Sequence, residues 1–352
     1  MYETLQAIGT NHLRTKRWIV RKTCFALLGL AVSACSAAGD GAGSAASASE
    51  ASGTLFVANK RGASLSRVDL ASGDETHRAS TCENPHELTV SRDDTLVMVA
   101  CYSGTRMETY STADLSRAYA VELGPGARVH SAIWLEDGRV IAGAEGRGSL
   151  VEMTPDPDTI FALAEFGSGG DGPHMVAVNE QGDMAWGTFI PSGTVVRYDL
   201  EADEEAARRH VGEDIEALAL SSDGTSLWVG SNSENMVYRL DPETLEAQAR
   251  IAVGEVPIRL VAHPDGQHVV SSNFGSGDLS VIDTASNEVV RTITVSGSQD
   301  AAQVTLVFSE DGSRLYAAET GHDEIAEIDF ESGEVLRRLP AGPGVNGLAV
   351  ID

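Results

Sequence analysis

The chain is short of lysine, of aromatic residues and of long apolar runs, and each shortage removes a class of function. Beyond residue 34 one lysine remains, Lys60, and aromatics make up only 5% of the chain. In total 25 basic residues face 52 acidic ones; without residues 1–34 the balance is 20 against 51, a net −31. Such a surface repels phosphate backbones and anionic lipid, so nucleic acid is not expected as a partner. The apolar run at 25–34 is too short to span a bilayer as a mature helix. No P-loop, H-E-x-x-H, G-x-S-x-G or C-x-x-C-H is present. Residues 167–172 fit G-x-G-x-x-G, but they lead into a strand pattern and not a helix, so no dinucleotide site follows.

What the chain does have is a repeat. Residues 257–294 read as four short strands, 260–263, 268–273, 279–283 and 288–294, with Asp265-Gly266 as a two-residue hairpin turn needing positive φ. The same turn recurs at Asp93-Asp94, Asp137-Gly138, Gln181-Gly182, Asp223-Gly224 and Asp311-Gly312, at spacings of 44, 44, 42, 42 and 46. Four strands every 42 residues or so describe a propeller blade. Residues 54–79 supply only three strands, and 344–350 form a lone strand at the other end. The fold class is therefore all-β: a seven-bladed propeller of four-stranded antiparallel blades, its C-terminal strand closing blade 1. Residues 201–210 read as a solvated loop or frayed helical turn of blade 4.

Residues 279–295, L-S-V-I-D-T-A-S-N-E-V-V-R-T-I-T-V, resemble the YVTN-type propeller repeat of YncE-like and lactonase-like proteins. Residues 315–318 and 55–59 resemble its second strand, and the likeness covers about 54–352. That resemblance implies a binding module or, alternatively, a metal-assisted lactonase-like hydrolase or lyase.

Ahead of the propeller, Arg14, Lys16, Arg17, Arg21 and Lys22 precede the apolar run, a targeting pattern. Val32-Ser33-Ala34-Cys35 resembles a bacterial lipobox with Cys35 as the lipidated residue; an ordinary signal peptide is the other reading. The domain plan is then a signal peptide at 1–34, the anchor Cys35 with a Ser/Ala/Gly tether to 53, and the propeller at 54–352. Ser36 after the cysteine, by the same resemblance, favours the outer membrane of the cell envelope. Membrane contact would be through the anchor alone.

Cys101 closes the second strand of blade 2, opposite about Pro85, and Cys82 lies near the same end. Outside the cytoplasm this permits a disulfide; two separate buried thiols are the alternative.

The first strand of each blade lines the channel and begins at the face that usually holds a site. Aligning those starts brings His86, His130, His174 and Glu216 into an arc, with Ile258, Val304 and Asn346 completing the ring. Imidazoles and a carboxylate suit one divalent ion, Zn, Cu, Fe or Ca; hydrogen bonding to neighbouring loops is the plainer reading. Around them Tyr102, Glu145, Phe189, Arg259, Phe274 and Asn346 are candidates for contact with a small molecule or protein at the channel mouth. No residue is assigned a catalytic role. His77, His210, His263 and His268 read as structural.

Overall fold

The computed structural model describes residues 51–155, 164–166 and 171–352. The expectations for 1–34, for Cys35 and its tether, and for most of 167–172 lie outside the described residues. Blade 1 combines β1 (Thr54–Asn59), β2 (Ser64–Asp69) and β3 (Glu75–Ser80) with β28 (Val345–Ile351) from the other end of the chain. Blade 2 is β4 (Pro85–Val90), β5 (Leu96–Cys101), β6 (Arg106–Ser111) and β7 (Arg117–Glu122). Blade 3 is β8 (Val129–Trp134), β9 (Val140–Ala144), β10 (Ser149–Met153) and β11 (Ala164–Phe166). Blade 4 holds β12 (Val176–Val178), β13 (Met184–Phe189), β14 (Thr194–Asp199) and β15 (Glu204–His210). Blade 5 holds β16 (Ile215–Leu220), β17 (Leu227–Ser231), β18 (Met236–Leu240) and β19 (Ala247–Ala252). Blade 6 is β20 (Pro257–Ala262), β21 (His268–Asn273), β22 (Asp278–Asp283) and β23 (Glu288–Thr294). Blade 7 is β24 (Gln303–Phe308), β25 (Arg314–Glu319), β26 (Glu324–Asp329) and β27 (Val335–Pro340).

All seven sheets are four-stranded, and the innermost strands touch in the order β28, β4, β8, β12, β16, β20, β24 and back to β28. The ring is closed, and the closing strand pairs Leu55 with Val350 and Val57 with Leu348. Apolar packing follows the same plan. Seven buried clusters lie one at each junction between blades, such as Trp186, Val195, Leu227 and Val229 between blades 4 and 5. Second strands are buried throughout, whereas outer strands such as β3 alternate or face solvent, which is why their sequences are polar. A ring of small cores lets some 300 residues fold as one body without a single oversized core.

Two expectations need correction. Residues 204–210, E-E-A-A-R-R-H, form the outer strand β15 and not a loop or helical turn, paired to β14 by Thr194↔His210 and Asp199↔Glu204. The charges mislead because this strand is exposed nearly end to end. The hairpins between first and second strands span four residues, not two: Ser221 N–H reaches Leu227's neighbour Ser226 O at 2.9 Å, and Gly224 N–H returns to Ser221 O at 2.8 Å. The positive φ expected at the second aligned residue is present in all six: Asp94 (57°), Gly138 (88°), Gly182, Gly224 and Gly266 (70° each) and Gly312 (73°).

Candidate binding site at the channel mouth

The site is built by bulges. In blade 2, Pro85 pairs with Cys101 and Leu88 with Val99, so His86 and Glu87 together oppose Ala100. The same two-against-one step places His130 and Ser131 in blade 3, Glu216 and Ala217 in blade 5, and Val304 and Thr305 in blade 7. Blade 6 is shifted at Ile258, and blade 1 between Val345 and Leu348, around Asn346. A bulge breaks the alternation of faces and re-aims side chains, so two consecutive residues reach the channel. The blades also approach closely here: a Cβ on Gly347 would lie 2.1 Å from the His86 carbonyl oxygen, so only glycine fits.

The structure brings His86, His130, His174 and Glu216 together, all buried. His130 stacks on His174 with ring centroids 3.6 Å apart, and the ring of His86 meets that of His130 at 4.8 Å. His174 and Glu216 are held by ion pairs. His174 Nδ1 lies 2.7 Å from Glu145 and Nε2 lies 3.2 Å from Glu216. Arg259 reaches across the channel, donating from Nη1 to Glu216 at 2.8 Å and from Nε to Glu87, on blade 2, at 3.1 Å. Its Nη2 lies 3.3 Å from His130 Nε2, and Thr305 donates to Glu87 at 3.4 Å. The channel is thus plugged at this level by Arg259 between two carboxylates.

Each histidine has a protonation state set by its neighbours. Burial opposes a charged His174, but Glu216 and Glu145 on its two nitrogens raise its pKa, so it is an imidazolium. Burial alone would raise Glu216; His174 and Arg259 beside it hold it down to about 2. Arg259 cannot lose a proton, so His130 Nε2 must accept and its proton sits on Nδ1, which is buried without a hydrogen-bond partner among the described residues. His86 gives its Nδ1 proton to the Asn84 carbonyl at 3.0 Å, leaving a lone pair on Nε2. Burial, with Lys60 near His86 and His174 near His130, pushes both pKa values well down, so both rings are neutral.

As they stand, these four donors do not fit one ion. Both nitrogens of His174 and one of His130 are committed to neighbours, and Glu216 is held by Arg259. Donor atoms of Glu319, His322 and Glu324 do come within 4.8 Å of one another, but there Arg338 already supplies the positive charge.

Of the remaining candidates, Tyr102 lies against His86 with centroids 4.4 Å apart and donates to Glu145 at 3.0 Å, with Arg128 over its ring. Asn346 is buried on the ring, and its Oδ1 has no hydrogen-bond partner among the described residues. Phe189 is not at the mouth: it is buried in the core between blades 3 and 4, with Arg208 over its ring. It ends its strand on the apolar side of the sheet, and a loop position was the wrong expectation. Phe274 is half-buried, and its backbone N–H bonds Val256 O at 2.9 Å; no contact places its ring at the site. Cys82 and Cys101 form a disulfide, Cα–Cα 5.8 Å, one residue before Tyr102. Glu87 was missed by sequence reasoning, as was Arg128. A charged residue at the start of an otherwise apolar first strand, as in H-E-L-T-V, is the signal that points to the former.

Lys60 follows β1 at the same mouth, half-buried. Its surroundings include Arg259, Glu216 and Glu87, and its ammonium makes no hydrogen bond or ion pair among the described residues. Burial, then Arg259, lowers its pKa.

No family model matches this chain, and no curated protein does. Among solved structures, a protein described as functionally unknown, from Desulfotomaculum acetoxidans DSM 771, is similar with a TM-score of 0.71 at 12% identity, over 85% of this chain and 99% of that one. At that identity the likeness is one of fold. The class defined here is a seven-bladed β-propeller whose channel mouth carries a buried charge network.

Proposed function

We propose that this propeller is a binding module that takes a small anionic ligand at its channel mouth. The observation that carries this reading is Lys60: the one lysine after residue 34 stands half-buried beside the Arg259 network, making no hydrogen bond or ion pair among the described residues. A half-buried cation with carboxylates nearby but no hydrogen bond of its own among the described residues is costly, and a ligand carboxylate or phosphate would relieve it. The His130 Nδ1–H and Tyr102 supply further polar contacts, and the net charge of the whole chain, −27, makes this a local exception. Nothing in the network resembles a nucleophile with its base.

The test is calorimetric titration of the purified domain with acetate, malonate and inorganic phosphate. At least one should bind saturably, and Lys60→Met should weaken it at least tenfold while the melting temperature does not fall. If no anion binds, or if Lys60→Met binds equally well, the reading fails. Metal analysis of the same preparation bears on the alternative, a metal-assisted lactonase-like enzyme. A stoichiometric ion lost on His86→Ala would favour it, because His86 Nε2 carries a lone pair able to bind an ion.

Placement in a cell envelope through a lipid on Cys35 belongs to the same proposal. Cys35→Ala should move the protein from the membrane to the soluble fraction; a wild-type protein already soluble would remove the anchor.

A further inference from the structure

Blades 4 and 5 carry the same pair of side chains 42 residues apart, in opposite arrangements. Trp186 faces Arg197 across β13 and β14, and Trp228 faces Arg239 across β17 and β18. Next to each pair a turn of the following blade offers one main-chain carbonyl, Pro242 O in the first case and Thr284 O in the second, again 42 apart. In blade 5 the arginine takes it. Arg239 Nη1 donates to Thr284 O at 3.0 Å and to Asn287 at 3.2 Å, and Nε to Ser226 at 2.9 Å. Its guanidinium lies over Trp228, whose indole N–H is buried without a hydrogen-bond partner among the described residues. Blade 1 makes the same choice: Arg67 Nε donates to Thr112 O of the next blade at 3.1 Å and its Nη2 to Thr54 at 3.1 Å.

In blade 4 the tryptophan takes the carbonyl, Trp186 Nε1 to Pro242 O at 2.8 Å. Arg197 is left with its Nε buried and without a hydrogen-bond partner among the described residues, with the Asp241 carboxylate in electrostatic reach. The cause is in the sequence. The two side chains that steady Arg239, Ser226 and Asn287, are replaced 42 residues earlier by Met184 and Leu245, neither of which offers a side-chain oxygen. Without the arginine drawn in, a cleft of about 640 Å³ stands open between blades 4 and 5. Trp186, Arg197, Met184, Asn179 and Leu220 line it, at the end of the blades away from the channel mouth.

We propose that this cleft is a second binding site, for a small monocarboxylate with an apolar body, anchored by Arg197. A carboxylate oxygen takes the place that a main-chain carbonyl fills in blades 1 and 5, and the guanidinium fork matches it in two bonds. Met184, Leu220 and the edge of Trp186 receive the apolar body. Glu180, Asp223 and Glu243 at the rim select against phosphates and other multiply charged anions. The site is independent of the channel mouth.

The test uses benzoate and isovalerate as probes, benzamide and inorganic phosphate as controls, and line-broadening or calorimetric titration of the intact propeller carrying Lys60→Met, which silences the channel mouth. The further variants are made in the same background. The carboxylates should bind saturably in the millimolar range, and the controls at least tenfold more weakly. Arg197→Met should remove binding. The double variant Met184→Ser/Leu245→Asn keeps the cation but restores the partners that hold Arg239, so it should draw Arg197 in and weaken binding at least tenfold as well. Absence of saturable carboxylate binding, or equal affinity in a folded Arg197→Met variant, overturns the proposal. So does undiminished binding by the double variant.

Discussion

The two ends of each blade are made of the same strands and yet follow opposite rules. At the hairpin end one solution is repeated: the residue with positive φ returns its N–H three residues back, at 2.9 Å in blade 2, 2.8 Å in blade 5 and 2.9 Å in blade 7. Ser91, Ser221 and Ser309 then bond Asp93, Asp223 and Asp311 at 2.7, 2.6 and 2.8 Å. At the mouth end no two blades offer the same pair of residues, although the bulge that presents them recurs. Repetition marks what the ring needs in order to form; its breakdown, at conserved geometry, marks where the chain spends residues on something else.

The largest effect should come from removing the one element that both ends depend on. Truncation after Gly342 deletes β28 and opens the clusters on both sides of blade 1, which contain Val345, Leu348 and Ala349. The loss should be comparable with the whole stability of a domain, about 5–15 kcal/mol, so circular dichroism should show no cooperative melt. A truncated chain that melts like the wild type would show that closure by β28 is dispensable.

Next is the mouth. Arg259→Met leaves the Glu216 and Glu87 carboxylates buried without their guanidinium, a change expected to cost about 3–5 kcal/mol in urea unfolding. Adding Glu216→Gln should recover part of that loss, since it removes one stranded charge. If Arg259→Met is neutral, the plug is not holding the blades.

How much of this was legible is best seen in particular residues. The ring could be read because turn residues at positive φ recur at a nearly constant spacing, and that spacing alone aligned His86, His130, His174 and Glu216. The strand assignment at 204–210 failed because an exposed outer strand carries no apolar pattern to read. Phe189 was misplaced because one residue of register decides whether a side chain faces the core or a loop. Arg259 and Glu87 lie 172 residues apart, and their pairing depends on bulges that alternation rules do not anticipate.

The mouth should also leave a signature in pH. The folded pKa of Glu216 is depressed from 4.5 to about 2, so its contribution is complete above about 4.5 and is lost as pH falls toward 2. His174 is raised above 6.5, so its contribution is complete below 6.5 and is lost as pH rises through the raised value. His86 and His130 are neutral when folded, and protonation of the unfolded chain makes stability fall below 6.5. Melting temperatures of His174→Gln across this range should lack the wild type's decline on the alkaline side. An unchanged alkaline limb would mean that His174 is not charged in the fold.

The smallest effects test the comparison most directly. Asp223→Ala and Asp311→Ala each remove turn hydrogen bonds at a partly solvated site, at a cost of about 0.5–1.5 kcal/mol. The two turns sit in blades 5 and 7 and share no partner, so the double variant should equal the sum of the single ones to within about 0.3–0.5 kcal/mol. His174→Gln and Arg259→Met share Glu216, so their double variant should depart from the sum by about 0.5–3 kcal/mol. Denaturant midpoints of the two cycles decide the matter. Additivity at the hairpins with coupling at the mouth is the expected pattern: independent copies at one end and a single shared network at the other. Coupling at the hairpins would mean that the ring transmits strain between blades, and the division between the two ends would be lost.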